Sequence, residues 1–181
     1  MPSAFKKLKI EGLILVEPVV FHDERGFFLE SFKESEFMAA GITERFVQDN
    51  HSLSARNVIR GLHYQKEPGA QGKLVRVIKG RAWDVAVDLR PGSLSFGKWL
   101  GMELSEENRL MLYIPPGFAH GFAAMSEEVH LLYKCTREYD PILDAGIRWD
   151  DPELAVRWPV GNPILSSKDR NLPLLRDIIE S

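Results

Sequence analysis

Residues Arg60 to Gly80, Arg-Gly-Leu-His-Tyr-Gln-Lys-Glu-Pro-Gly-Ala-Gln-Gly-Lys-Leu-Val-Arg-Val-Ile-Lys-Gly, read as two strands flanking a Pro/Gly loop, the first ending at Gln65 and the second opening at Lys73. Strict alternation along the second strand sets Lys73, Val75 and Val77 on one face. An ammonium sharing a face with two valines is costly unless it has a partner or a task. His63, just before the loop, can meet it across the sheet. A base and a fixed positive charge on adjoining strands suit the removal of a proton and the holding of the resulting anion. Two plainer readings stand beside this one: a strand histidine hydrogen-bonded in the core, and a lysine stem laid along apolar surface with its head in water.

Composition narrows the classes. The 181 residues suffice for a substantial core and read as one domain, 1–181. The 23 basic and 26 acidic side chains leave a net charge of −3, which speaks against a nucleic-acid binder and its basic surface. The one cysteine, Cys135, rules out an intrachain disulfide and fits a reducing compartment. Lys6, Lys7 and Lys9 precede the apolar run Leu13 to Val16, but Glu17 and Pro18 cut it too short for a signal-peptide core. No stretch approaches a membrane span. The expectation is a cytoplasmic protein engaging neither membrane nor nucleic acid.

Strands are expected over Leu13–Val20, Gly26–Phe32, Phe46–Ser52, Asn57–Gln65, Lys73–Lys79, Ala82–Leu89, Phe96–Leu104, Met111–Ile114, Gly121–Met125 and Val129–Thr136. In the sixth of these Trp83, Val85, Val87 and Leu89 alternate with Asp84, Ala86 and Asp88. A short amphipathic helix, Lys33–Ala40, turns Phe37 and Met38 inward and stops at Gly41. No helix is long enough for a βαβ crossover, so the strands should pair antiparallel. The class is all-β, an antiparallel jelly-roll barrel or sandwich with a few short helices. Residues 140–181 form a less regular tail ending in a short helix over Leu172–Ile179.

A second constellation, Tyr113-Ile-Pro-Pro-Gly-Phe-Ala-His-Gly-Phe122, contains Pro115-x-Gly117-x-x-His120. It resembles the second motif of the cupins, small β-barrels with a site at the mouth. The first cupin motif is commonly His-x-His, a short gap, Glu, six residues, then Gly. The matching positions here are His63, Gln65, Lys73 and Gly80, so one ligand histidine is a glutamine and the ligand carboxylate is a lysine. Catalytic zinc takes three protein ligands and structural zinc four. An ammonium in the carboxylate's place repels a cation, so the expectation is a site without metal that gathers an anion instead.

Eight segments in order carry the resemblance further: Asp23-Glu-Arg-Gly-Phe-Phe-Leu-Glu30, Phe46-Val-Gln-Asp-Asn50, Arg60-Gly-Leu-His-Tyr-Gln65, Gly72-Lys-Leu-Val-Arg-Val77, Asp84-Val-Ala-Val-Asp-Leu-Arg90, Pro116-Gly-Phe-Ala-His-Gly-Phe122, Tyr133-Lys-Cys-Thr136 and Ser167-Lys-Asp-Arg170. Together they resemble the dTDP-4-dehydrorhamnose 3,5-epimerase family of dTDP-sugar 3- and 5-epimerases. The resemblance implies a dTDP-4-keto-6-deoxy sugar as substrate, with hydrogens at C3 and C5 exchanged beside the C4 ketone. Such inversion needs a base, an electrophile for the enolate oxygen and an acid opposite the base. It needs no cofactor, because the ketone is the electron sink.

By the same resemblance His63 is the base, Asp169 its orienting carboxylate, Lys73 the enolate stabiliser and Tyr133 the acid. Imidazole titrates close enough to neutrality for the first role. Ser166-x-x-Asp169 also reads as a helix capping box, and Tyr133 as a buried aromatic with a satisfied hydroxyl. His120 either bonds the sugar or supports the site from behind. Arg25 and Arg60 are expected on the diphosphate or base, with Lys168 as a further polar contact. Gln48 and Asn50 would take phosphate or thymine, Glu30 the thymine imide N–H, and Tyr139 would stack on base or sugar. The family implies a homodimer, with Arg25 to Glu30 as the candidate exchanged segment. Arg60 and His63 are three apart, so both reach one pocket only if a bulge intervenes near Gly61. Inversion at C3 alone or C5 alone, a metal-dependent cupin, and a non-catalytic nucleotide-sugar binder remain the alternatives.

Overall fold

The strand Lys73–Lys79 lies in the middle of a sheet, buried on both faces from Lys73 to Val75 and open on its outer face at Ile78. The computed structural model describes residues 3–179. Its elements are β1 (Ala4–Lys7), β2 (Ile14–Glu17), β3 (Val20–Asp23), β4 (Gly26–Leu29), α1 (Glu34–Ala39), β5 (Gln48–Ala55), β6 (Ile59–Gln65), β7 (Lys73–Lys79), β8 (Arg81–Asp88), β9 (Trp99–Ser105), β10 (Met111–Ile114), β11 (Phe118–Ala124), β12 (Glu128–Cys135), β13 (Asp144–Gly146), α2 (Ser167–Arg170) and α3 (Leu175–Ile179). One sheet runs β1-β2-β10-β7-β12-β5 and the other β13-β6-β11-β8-β9, while β3 and β4 form a separate hairpin. Pairing within both sheets is antiparallel, and they face each other as a cupin-like jelly roll.

Between the sheets lies a core of Val75, Val77, Leu112, Val129, Leu131, Phe118 and Phe122 with Ala82 and Ala86. Each large side chain so buried contributes about 1.5–3 kcal/mol. Two further clusters line the outer faces. Phe37 of α1 packs with Ile14, Val16, Leu74 and Met111, closing one side of the six-stranded sheet. The C-terminal tail lays Ile147, Leu154 and Leu175 over Val85, Val87 and Ala119 of the five-stranded sheet. The apolar face of β8 is therefore the one beneath the tail. Its polar-looking face, with Asp84 and Ala86, turns into the barrel.

Several boundaries differ from the sequence reading. The run Leu13–Val20 divides into β2 and β3 around Pro18, as a residue without an N–H requires. The segment Gly26–Phe32 stops at Leu29, and Phe32 instead stacks on Phe37 at 4.9 Å between ring centroids. Met38 is 55% exposed, so only Phe37 of the expected pair turns inward: a six-residue helix has room for one buried stripe. The tail contains a strand, β13, and its last helix begins at Leu175 rather than Leu172. Among the described residues no helix is long and apolar enough to cross a membrane.

Candidate active site

At one end of the barrel the two sheets part around a cavity of about 440 Å³. Its walls are Gln48 and Asn50 of β5, Arg60, His63 and Gln65 of β6, Lys73 of β7, His120 of β11, and Tyr133 and Cys135 of β12. The tail adds Tyr139, Asp144, Lys168 and Asp169. Arg60 and His63 share this space because β6 bulges: His63 pairs with His120 and Arg60 with Phe122, so two residues on β6 oppose one on β11. Gly61 sits in the bulge at φ +136°, and a Cβ there would meet the Gly121 Cα at 2.5 Å. Glycine is the residue that this backbone admits.

His63 Nε2 lies 2.5 Å from Asp169 Oδ1. Burial would raise the Asp169 pKa, but hydrogen bonds from His63 and Ser166 prevail and hold its carboxyl below the usual range. With Asp169 ionised, the imidazole proton sits on Nε2 and Nδ1 is left as the basic nitrogen. Ser166 is also the N-cap of α2, although the Asp169 carboxylate takes the Ser166 hydroxyl rather than the backbone N–H that would complete a capping box. Its Oγ accepts from the Asp169 N–H at 3.0 Å and donates to Asp169 Oδ2 at 2.8 Å, so one serine starts α2 and fixes the carboxylate behind His63.

Lys73 is 8% exposed and donates to the His63 carbonyl at 3.4 Å. Its other N–H donors are left for an occupant of the cavity. Burial lowers its pKa, and the charges of Asp84 and Asp144 counter that pull. A second imidazole–carboxylate pair stands beside it: His120 Nε2 is 2.8 Å from Asp84 Oδ2, and Asp84 is fully buried. Tyr133 projects from the sheet opposite His63, and burial raises its pKa and keeps the phenol protonated. Gln48 Nε2 donates to Asn50 Oδ1 at 3.0 Å, and Asp144 accepts from the Tyr139 hydroxyl at 3.0 Å while pairing with Lys168.

Two expected contacts lie elsewhere. Arg25 is on the tip of the β3–β4 hairpin, 83% exposed in its side chain and paired with Asp23, and Glu30 follows β4 in solvent. Neither lines the cavity of its own chain. Conversely, Asp84, Asp144, Cys135 and Ser166 belong to the site by geometry, though the residue-by-residue reading singled out none as a functional residue. For Asp84 a signal existed, an acid on the same strand face as Ala86. Among the described residues no three His, Cys, Asp or Glu side chains converge as a metal-binding set.

Residues 7–177 match the family described as dTDP-4-dehydrorhamnose 3,5-epimerase. The protein of that name from Methanothermobacter thermautotrophicus is 53% identical over 176 residues, covering 96% of this chain and 95% of the relative. Its counterpart from Pseudomonas aeruginosa is 54% identical over 166 residues, 91% of each chain. The crystal structure of dTDP-6-deoxy-D-glucose-3,5-epimerase from Legionella pneumophila Philadelphia 1, in complex with dTDP-4-keto-L-rhamnose, matches with a TM-score of 0.93 at 47% identity, covering 96% of this chain and 93% of that one. With the family match, the relatives and the fold in agreement, the chain belongs to the dTDP-4-dehydrorhamnose 3,5-epimerase family.

Proposed function

We propose that this chain is an isomerase converting dTDP-4-dehydro-6-deoxy-D-glucose to dTDP-4-dehydro-L-rhamnose, by inversion at C3 and C5, in dTDP-L-rhamnose biosynthesis. The observation that carries the reading is the placing of His63, backed by Asp169, and Tyr133 on facing sheets with the Lys73 ammonium between them. His63 Nδ1 takes the hydrogen beside the ketone as a proton, and the C–H electron pair moves into a C=C bond while the carbonyl becomes an enolate oxygen. Asp169 stabilises the imidazolium, and Lys73 donates to the enolate. Tyr133 then returns a proton from the opposite side, the ketone re-forms and the carbon is inverted. Lys73 supplies the positive charge that a metal would otherwise bring to the oxygen, so the reaction runs without one.

Arg60 and Lys168 bind the diphosphate, Gln48 and Asn50 hydrogen-bond nucleotide or phosphate, Tyr139 stacks over the mouth and His120 contacts the sugar. Arg25 and Glu30 complete the nucleotide site from the partner of a homodimer, because the hairpin that carries them joins neither sheet and leaves Phe27 and Phe28 55% and 65% exposed. The protein acts in the cytoplasm, consistent with its buried free thiol. Heavy water tests the reading. Incubation with the keto-sugar nucleotide should place deuterium at C3 and C5, unchanged by chelator and abolished by His63→Asn. Label at one carbon only would make the enzyme a mono-epimerase; an active preparation that leaves both carbons unlabelled would end the epimerase reading.

A further inference from the structure

Gln65 occupies the position of a cupin ligand histidine, yet its amide is taken up by two loops. The side chain is 5% exposed. Its Oε1 accepts from the Asp140 N–H at 2.6 Å, and its Nε2 donates to the Gly69 carbonyl at 2.7 Å and, at longer range, to the Glu138 carbonyl at 3.4 Å. From the facing sheet, Gln48 Oε1 accepts from the Tyr139 N–H at 2.8 Å. Two glutamines from opposite walls thus hold consecutive backbone amides of the segment that carries Tyr139. Other ties flank this point: Gln71 Nε2 donates to the Arg137 carbonyl at 2.8 Å, and the Lys66 N–H to the Leu143 carbonyl at 2.9 Å. The Tyr139 ring is 54% exposed, with its hydroxyl on Asp144. Its height over the cavity is set by this backbone together with the Asp144 contact at its hydroxyl.

We propose that Gln65 is a positioning residue for the epimerisation, acting through the Asp140 amide to set where the Tyr139 ring meets the sugar. The inference rests on the function proposed above. One base serves two carbons on either side of a ketone, so the sugar must present each in turn, and the surface against which it settles governs the balance. Removing the hydrogen bonds of Gln65 loosens the backbone at Tyr139 without touching His63, Lys73 or Tyr133.

The test is a double-mutant cycle with Gln65→Met, which keeps the length of the side chain and removes its hydrogen bonds, and Tyr139→Ala. Gln65→Met should raise KM for the keto-sugar nucleotide roughly ten-fold. It should shift the ratio of deuterium at C3 to deuterium at C5 and speed amide exchange at Tyr139 and Asp140, with β6 and β7 still protected. In the Tyr139→Ala background the same change should add nothing to KM or to the ratio, because coupled residues are not additive. An unaltered KM and ratio in Gln65→Met, or a full and additive effect in the Tyr139→Ala background, would overturn the proposal. Should Gln65→Met fail to fold, Gln65→Asn, which stays polar but is one methylene too short to reach the Asp140 amide, carries the same cycle, and the same two outcomes would overturn the proposal. Loss of label from the unaltered protein would instead remove the epimerase reading, and this inference with it.

Discussion

Lys73 is a buried charge whose place at the cavity suits the enolate-stabilising role proposed for it. Its desolvation is opposed by nearby negative groups, among them the fully buried Asp84, and its donors lie over the cavity rather than in ion pairs. Replacing it by Ala should slow deuterium exchange by about 10²–10³-fold, the loss expected when an oxyanion donor is removed. A near-normal rate would take it out of that role. Because burial lowers its pKa, the ammonium is lost on raising pH before the value of about 10.4 of a free lysine is reached. The alkaline limb of kcat should accordingly fall below that value. Asp169 works in the other direction. Its depressed pKa stabilises the fold above the unfolded value of about 3.9, and that contribution is lost as pH falls through the folded value. Asp169→Asn should flatten that acid limb of stability and, by leaving His63 in the wrong tautomer, cut kcat by about 10⁴-fold.

The bulge in β6 is the element on which the site turns. A regular strand would send Arg60 and His63 to opposite faces, one into the cavity and one under the tail. Gly61 at φ +136° and its close approach to Gly121 make the extra residue possible. Gly61→Ala combines a strained backbone with a clash against main chain that has no way to yield. It should destabilise the protein by about 3 kcal/mol or more in denaturant titration. Since Arg60 and His63 flank the bulge, activity should fall even in the fraction that remains folded. Gly121→Ala approaches the same crossing from the other strand, with its Cβ 2.8 Å from the Arg60 carbonyl, and should show the same defect.

The hairpin of β3 and β4 joins neither sheet. A two-stranded ribbon with exposed Phe21, Phe27 and Phe28 is marginal without a surface to lie on, and the homodimer proposed above would supply one. Subunits carrying Arg25→Ala or His63→Asn should each be impaired when pure. Mixed, half of the dimers are hybrids, and each hybrid holds one site with both native residues. Activity should return to about one quarter of wild type. No recovery on mixing would place Arg25 outside the neighbouring site.

Much of this was legible along the chain. Lys73, Val75 and Val77 share a face because a strand's side chains alternate, and Tyr133 follows Leu131 inward for the same reason; both are local geometry. The Gly61 bulge was legible as a conflict of spacing. The outward face of Met38 was not, because a short helix takes its buried stripe from what it packs against. Asp84 was invisible as the partner of His120, since 36 residues separate them and only the pairing of β8 with β11 brings them together. Asp169 lies 106 residues from His63, and along the chain nothing marks it as a partner of that imidazole rather than a residue in the first turn of a helix; in the structure it meets both His63 and Ser166. Alternation, turn chemistry and motif order are written locally and dictate the all-β fold and the family. The partners of His63, Lys73 and His120 depend on which distant segments pack together, and so on the sum of long-range contacts that no window of sequence contains.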